Sequence, residues 1–215
     1  MIDVVPAHEL DSAPRIISRI FVDGFGRHFG AFSRDPERLV RAFAHTFVID
    51  LFHVALLNGE PAGIAACTDG VRRCVISDGP TMRRELGPLR GTAAHLVFRS
   101  QFSAPIPDPR PRQGSIEFVA TAAEHRGRGV ATELISRLHL LPQYDSFVLA
   151  EVADSNTAAL RVYHRLGYTE YARRPVRHGR WSGINAYVSL RWTRPADRSA
   201  DDSPTPPLGP GPGAR

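Results

Sequence analysis

Apolar and polar positions alternate along this chain with two different periods, and the changes of period predict where its elements begin and end. In the first half, short alternating or continuously apolar runs predict strands over 2–5, 52–57, 62–68 and 71–76. Helical spacing predicts helices over 14–25, 36–45 and 81–103. Asn58-Gly59 separates two of the apolar runs, which is the pattern of a tight hairpin. Gly87-Pro88 must break or kink the third helix.

The second half adds a strand, a helix, a strand and a helix before a final pair of strands. The predicted strands lie over 116–121, 147–152, 168–171 and 184–192, after a proline-rich loop over 105–114. The two helices start at about Gly129 and at Asn156. This order predicts one domain over 1–194, built on a mixed sheet that is flanked by helices. Residues 195–215 are rich in Pro, Gly, Asp and Ser, and we expect them to form a disordered tail.

The junction between the strand over 116–121 and the next helix has the composition of an anion-binding loop. Gly127 and Gly129 permit left-handed turns and leave no Cβ between the backbone amides and a ligand. The first turn of the helix points its free N–H groups and its positive dipole end into the same loop. Arg126 and Arg128 add positive charge that suits a pyrophosphate. A plain strand-to-helix turn is the alternative interpretation of two glycines alone.

Two common phosphate loops do not fit this junction. A dinucleotide fingerprint needs a third glycine where this chain has Thr132, and a P-loop needs a lysine, which this chain lacks. The pattern Arg-x-x-Gly-x-Ala directly after a strand resembles instead the acyl-CoA pyrophosphate loop of the GNAT N-acetyltransferase superfamily. Ala123 departs from that pattern, because the family often has proline there.

A second segment carries the same resemblance. Asn156 and the two residues before it offer N-cap oxygens to a helix, and Gly167 stands where a left-handed residue ends one. Asn156 and Tyr163 are seven residues apart, nearly two helical turns, so we expect them on one face. The pattern Asn-x-x-Ala-x-x-x-Tyr-x-x-x-Gly-Tyr over 156–168 is similar to the second conserved segment of the GNAT superfamily.

The resemblance implies a fold, an activity and a set of site residues. The fold is α/β, with a twisted, mixed and mostly antiparallel sheet of about six to seven strands and a V-shaped splay for acyl-CoA. The activity is transfer of an acetyl or other acyl group from acetyl-CoA, the cosubstrate, to a primary amine, without a metal. The implied cofactor-binding residues are Val119, Ala120, Thr121, Arg126, Gly127, Arg128, Gly129, Val130, Ala131, Thr132, Asn156, Ala159 and Tyr163.

Acyl transfer to an amine needs an acid and a base. An amine with a pKa of about 10 must lose a proton to attack, and the CoA sulfur must leave as a thiol or thiolate. The resemblance assigns the acid to Tyr163, whose alternative is a core tyrosine with a hydroxyl that merely finds a partner. Strand parity puts Glu117 on the same face as Val119 and Thr121, so Glu117 is the candidate base. Its alternative is a solvated strand residue.

The acceptor stays open at this point. The resemblance places the acceptor groove in the segments 24–34 and 173–183. The arginines, His178 and Trp181 of the second segment suit an acidic or aromatic acceptor, and a solvated hairpin tip is the alternative. A small amine and a peptide amine both fit. A catalytically silent acyl-CoA-binding regulatory module is the alternative function.

Composition limits which binding partners and which cellular compartment we expect. The formal charge is +5 and all 27 basic residues are arginine, but they are spread singly, so we expect no nucleic-acid partner. Cys67 and Cys74 have neither zinc-site nor disulfide spacing, and we expect free buried thiols. No signal peptide or long apolar run is present, so we expect a cytoplasmic protein without a membrane partner. The sequence is compatible with a homodimer and with a monomer.

Overall fold

Within the described residues, seven strands form a single sheet. The computed structural model describes residues 1–101, 108, 110–176 and 183–195, so nearly all of the predicted tail lies outside it. The strands are β1 Ile2–Pro6, β2 Phe52–Leu57, β3 Glu60–Thr68, β4 Gln113–Thr121, β5 Ser146–Ala153, β6 Thr169–Pro175 and β7 Ala186–Thr193. Their spatial order is β1-β2-β3-β4-β5-β7-β6. Every neighbouring pair is antiparallel except β4 and β5, which are parallel. The predicted mixed, mostly antiparallel sheet is confirmed.

Six α-helices cover the two faces of this sheet in the described chain. They are α1 Ala13–Phe25, α2 Pro36–Phe43, α3 Gly79–Leu86, α4 Pro88–Gln101, α5 Val130–Leu138 and α6 Thr157–Arg165. Buried apolar side chains form two clusters. The first cluster joins one face of the sheet to α1, α2, α3 and α4, and the second joins the other face to α5 and α6. The protein therefore has three layers, with the sheet between two sets of helices.

Turn residues end the elements where the sequence predicts. Asn58 and Gly59 have φ angles of 54° and 87°, the left-handed pair that a type I′ hairpin requires between β2 and β3. Gly87 has φ of 86° and ends α3, and Pro88 begins α4. The predicted break in the long helical segment is confirmed.

One predicted strand is absent and one predicted strand start is wrong. The segment 71–76 is not a strand and makes only an isolated bridge between Phe47 and Val75, because the Asp69 carboxylate accepts two backbone N–H groups and closes a turn. Strand β4 begins at Gln113, inside the predicted proline-rich loop. Gly114 permits that early start, since a Cβ there would lie 2.8 Å from the ring of Phe147 on β5.

Phenylalanines dominate the first cluster. Phe21 of α1 is 1% exposed, and its ring centroid lies 5.1–6.2 Å from those of six other phenylalanines. These partners come from four separate parts of the chain: Phe25, Phe29, Phe43, Phe47, Phe98 and Phe118. Because Phe118 lies on β4, this aromatic cluster ties α1 and α4 to the strand that carries the site described next.

Candidate functional site

Strands β4 and β5 pair at one end and separate at the other. Their register runs only from Gln113 opposite Ser146 to Ser115 opposite Val148. Beyond Ser115, β4 stays paired to β3 through Thr121, while its edge toward β5 is unpaired. The V-shaped splay expected for this fold is present, and its open edge offers backbone groups to an extended ligand.

A bulge lies in each strand of the splay. Phe118 of β4 has φ of 54°, and the β3–β4 register shifts across it. Glu151 of β5 has φ of 55°, and the β5–β7 register shifts there as well. A bulge increases local twist and bends the strand that carries it. The two bulges therefore account for the separation of β4 from β5.

The loop between β4 and α5 presents backbone amides to solvent. Gly127 and Gly129 have φ angles of 76° and 83°, and a Cβ at either position would meet no protein atom within 4 Å. Helix α5 begins at Val130, and no side chain caps its N-terminus. Its first-turn N–H groups therefore lack intrahelical partners, and they face the same loop as the two glycines. This geometry suits an anion.

The two arginines of this loop have different surroundings. Arg126 donates from Nε to the Thr121 carbonyl oxygen at 3.4 Å and from Nη2 to the Asp23 carbonyl oxygen at 3.3 Å. Arg126 therefore links the loop to β4 and α1 while its guanidinium stays exposed. Arg128 is exposed and makes no ion pair with a described residue. Its charge is available to an incoming anion.

Helix α6 starts and ends as its motif predicts. Asn156 is the N-cap, and its Oδ1 accepts a hydrogen bond from the Ala159 N–H at 3.3 Å. Gly167 has φ of 87°, and the Tyr168 N–H donates to the Tyr163 carbonyl oxygen at 3.0 Å, which is a Schellman ending. The Asn156 side chain is exposed, but its hydrogen bond serves the helix. Asn156 thus has a structural role besides any contact with a ligand.

Tyr163 is buried in the second cluster, on the side of the sheet that α5 and α6 cover. Its side chain is 6% exposed and packs in the second cluster, which also contains Ile116 of β4 and Leu149 of β5. Burial raises the pKa of Tyr163 to about 12, so the hydroxyl keeps its proton at neutral pH. That hydroxyl makes no hydrogen bond within the described part of the chain. The neighbouring Tyr168 differs, since its hydroxyl lies 2.8 Å from Nε2 of His139.

Glu117 does not share a face with Val119 and Thr121, so the parity prediction is wrong. Glu117 pairs with Ala66, which belongs to the first cluster. Val119 packs against the second cluster, on the opposite face. The bulge at Phe118 causes the difference, because an extra residue in one strand shifts the alternation of side chains after it. Glu117 therefore faces the layer that contains α1–α4.

Thr68 and Cys74 contact Glu117, and neither was a candidate from the sequence. Thr68 Oγ1 donates to Oε1 of Glu117 at 3.2 Å, and the Cys74 thiol donates to Oε2 at 3.2 Å. They lie 49 and 43 residues from Glu117 in the sequence, and no motif connects the three residues. Cys67 and Cys74 are both free and buried, as predicted. Only the folded arrangement of β3, β4 and the segment before α3 brings this group together.

A cavity of about 870 Å³ lies on the α1–α2 side of the sheet. Part of its wall comes from the first predicted acceptor segment: Gly26, Gly30, Ser33 and Arg34. Its floor includes Ile20 of α1 and Leu39 of α2, and Ala122 joins it to the end of β4. In the second predicted acceptor segment, 177–182 lies outside the described residues. Arg173 and Arg174 do lie within them, paired with Glu170 and Glu151.

The described residues contain no group of three or more His, Cys, Asp or Glu side chains placed to hold a metal ion. No helix in that part of the chain has both the length and the apolar character needed to cross a membrane.

Comparison with known proteins gives a consistent result. The model of the acetyltransferase (GNAT) family matches residues 17–168. No curated protein matches the chain. An N-acetyltransferase from Staphylococcus aureus Mu50 superposes with a TM-score of 0.51 at 17% identity, covering 89% of this chain and 100% of its own.

Two other solved structures share the fold. A GCN5-related N-acetyltransferase from Kribbella flavida gives a TM-score of 0.54 at 16% identity, covering 89% of this chain and 97% of its own. The ribosomal-protein-S18-alanine N-acetyltransferase from Escherichia coli gives 0.51 at 14% identity, covering 93% of this chain and 98% of its own. At these identities, the likeness shows a common architecture.

Proposed function

The chain belongs to the GNAT acetyltransferase family, and from this premise we propose that it transfers an acetyl group from acetyl-CoA to a primary amine. The transfer is direct, within a complex that holds both substrates. The observation that carries the proposal is the combination of an open β4 edge with a glycine loop that leads into an uncapped helix. Together they form one continuous path for a ligand that has an amide-containing arm and a pyrophosphate.

Acetyl-CoA binds along that path. The amides over 127–132 and the Arg128 guanidinium hold its pyrophosphate, since both features attract anions. The backbone of Val119, Ala120 and Thr121 hydrogen-bonds to the pantetheine arm as it would to another strand. Asn156 and Ala159 lie at the start of α6, which follows β5, and contact acetyl-CoA from that side.

Tyr163 supplies the proton that the leaving sulfur requires. Its hydroxyl is protonated at neutral pH and has no partner among the described side chains, so its proton is available to a ligand. A thiol has a pKa of about 8.5, so its thiolate is a tolerable leaving group and a weak acid suffices.

Glu117 accepts the proton that the amine loses, directly or through a water molecule. The amine lone pair attacks the thioester carbonyl carbon and the C–N bond forms. The C–S bond then breaks, the amine proton goes to Glu117 and the Tyr163 proton goes to sulfur. Glu117 and Tyr163 contact different clusters on opposite faces of the sheet. The acceptor therefore enters from the α1–α4 face, where Glu117 lies.

The test is thiol release from acetyl-CoA, measured across a panel of small amines, amino acids and peptides with free N-termini. Release that depends on one class of amine supports the proposal and identifies the acceptor class. Acetyl-CoA binding without release for any amine would contradict it and would favour a catalytically silent acyl-CoA-binding module.

A further inference from the structure

The Glu117 carboxylate is held by two buried donors that the proposed reaction does not use. One is the hydroxyl of Thr68 on β3, and the other is the thiol of Cys74 in the segment between β3 and α3. Each donor contacts a different oxygen of the carboxylate. The pair therefore fixes both the position and the rotation of the carboxylate plane, which neither contact alone would do.

The Thr68 hydroxyl has a defined direction. Its side chain is fully buried, and its oxygen accepts a hydrogen bond from the Gly70 N–H at 3.0 Å. Since that N–H is a fixed donor, the hydroxyl proton is free to point at Oε1 of Glu117, 3.2 Å away. The Gly70 N–H therefore orients the Thr68 hydroxyl, and the hydroxyl in turn orients the Glu117 carboxylate.

The Cys74 thiol is held by its own backbone. The Val48 N–H donates to the Cys74 carbonyl oxygen at 2.9 Å, and the Ile76 N–H donates to the Thr46 carbonyl oxygen at 2.7 Å. This short antiparallel contact fixes a side chain that is 2% exposed. Burial, followed by the nearby Glu117 carboxylate, raises the pKa of the Cys74 thiol well above its ordinary value. Cys74 therefore stays protonated at neutral pH and acts as a donor.

We propose that Thr68 and Cys74 are positioning residues for the catalytic base, orienting the Glu117 carboxylate toward the acceptor amine. This inference rests on the proposed function, since it assigns Glu117 the amine proton. Each carboxylate oxygen accepts about two hydrogen bonds. With one donor on each oxygen, a lone pair therefore stays free to accept the amine proton. Cys74 is not a nucleophile here, because a protonated thiol beside a carboxylate is poorly reactive.

Matched substitutions separate this role from simple packing. Thr68→Val keeps the side-chain shape and removes both the donor to Glu117 and the acceptor for the Gly70 N–H, while Thr68→Ser keeps both and removes a methyl group. Cys74→Ala removes the thiol donor, while Cys74→Ser replaces it with a hydroxyl donor. We expect Thr68→Val and Cys74→Ala each to lower kcat about tenfold, with the KM for acetyl-CoA within about twofold of wild type. Both serine variants should retain most of the rate.

A double-mutant cycle tests whether these residues act through Glu117. If they do, Thr68→Val should cause no further loss of kcat in a Glu117→Gln background. Equal losses in both backgrounds, or equal losses for Thr68→Val and Thr68→Ser, would show a packing role and overturn the proposal.

An infrared measurement of the thiol S–H stretch tests the contact without any activity. In a Cys67→Ser background, where Cys74 is the remaining thiol, Glu117→Gln should shift the S–H band because the charged acceptor is lost. An unchanged band would overturn the positioning contact. A shifted band with an unchanged kcat for Glu117→Gln would instead contradict the assignment of Glu117 as the base, so the two failures are distinguishable.

Discussion

At the scale of single residues, the two proposed proton carriers have opposite surroundings. Tyr163 lies in an apolar cluster with a hydroxyl that has no partner in the described structure, while Glu117 accepts hydrogen bonds from two buried side chains. Burial keeps the tyrosine protonated, and the two donors orient the carboxylate. One residue is therefore suited to give a proton and the other to accept one, from opposite faces of the splay.

Both residues were candidates from the sequence, but only part of their environment was predicted. Tyr163 was chosen from its motif, and the regular spacing of a helix predicts where that residue lies in the fold. The predicted face of Glu117 was wrong because Phe118 has a positive φ. A positive φ is uncommon outside glycine, and nothing in the sequence indicates it at this position. Thr68 and Cys74 could not be found, because their contacts join distant parts of the chain.

Replacing Tyr163 with phenylalanine removes the acid and keeps the ring. We expect kcat to fall by about 10²-fold, as is typical of a lost general acid, while the affinity for acetyl-CoA is retained. Steady-state rates and calorimetric binding provide the two measurements. An unchanged rate would assign Tyr163 to the core alone.

His139 makes stability depend on pH. Burial and then the Arg194 guanidinium lower its pKa from 6.5 to about 4 in the folded protein. As pH falls, His139 therefore takes up a proton at a higher pH in the unfolded chain than in the folded protein. The folding free energy that depends on neutral His139 is fully present above pH 6.5 and is lost as pH falls toward 4. The loss is at most about 3 kcal/mol, at about 1.4 kcal/mol per pKa unit.

Urea unfolding of the wild type and of His139→Leu at several pH values measures this dependence. The variant removes the bond to Tyr168 and should be less stable at pH 7, but its stability should fall less between pH 6.5 and 4.5. Parallel pH dependences for the two proteins would contradict the effect of His139.

At the scale of elements, most boundaries followed from local signals. Helical periodicity and turn residues predicted the hairpin at Asn58-Gly59, the break at Gly87 and the ending of α6 at Gly167, and these are confirmed. The early start of β4 was missed because prolines nearby favour a loop, while pairing with β5 overrides that preference. Such pairing is a tertiary effect that periodicity alone does not reveal.

Gly129→Val tests the loop element. The substitution places a branched side chain over the amides at a φ of 83°, and we expect acetyl-CoA binding to be lost. Gly59→Val is a matched control, since it imposes a similar φ of 87° and also meets no protein atom within 4 Å. Both variants should lose about 1–3 kcal/mol of stability through backbone strain. Isothermal titration that shows retained binding for Gly129→Val would refute the loop assignment.

At the scale of the whole molecule, the sheet separates two cores with different tasks. The second core places α5 and α6 on the side of the splay that we propose for the cosubstrate, while the first core joins α1–α4 to the Glu117 side. Because β4 borders both cores, its bulge is the point at which the proposed proton donor and proton acceptor would approach the substrates from opposite faces.

Phe21→Ala should destabilise the whole molecule, because Phe21 contacts phenylalanines from α2, α4 and β4. Truncation of such a buried ring costs about 3–5 kcal/mol. Chemical denaturation measures the change. A loss below about 1 kcal/mol would show that the aromatic cluster does not hold the first layer to the sheet.

The most direct test of acyl transfer measures the released CoA thiol and the acetylated amine in the same sample, using an amine selected by the panel. The account predicts equal amounts of both products, formed only when protein, acetyl-CoA and amine are all present, and a large loss of both with Glu117→Gln. CoA release without acetylated amine, or release that needs no amine, would contradict it.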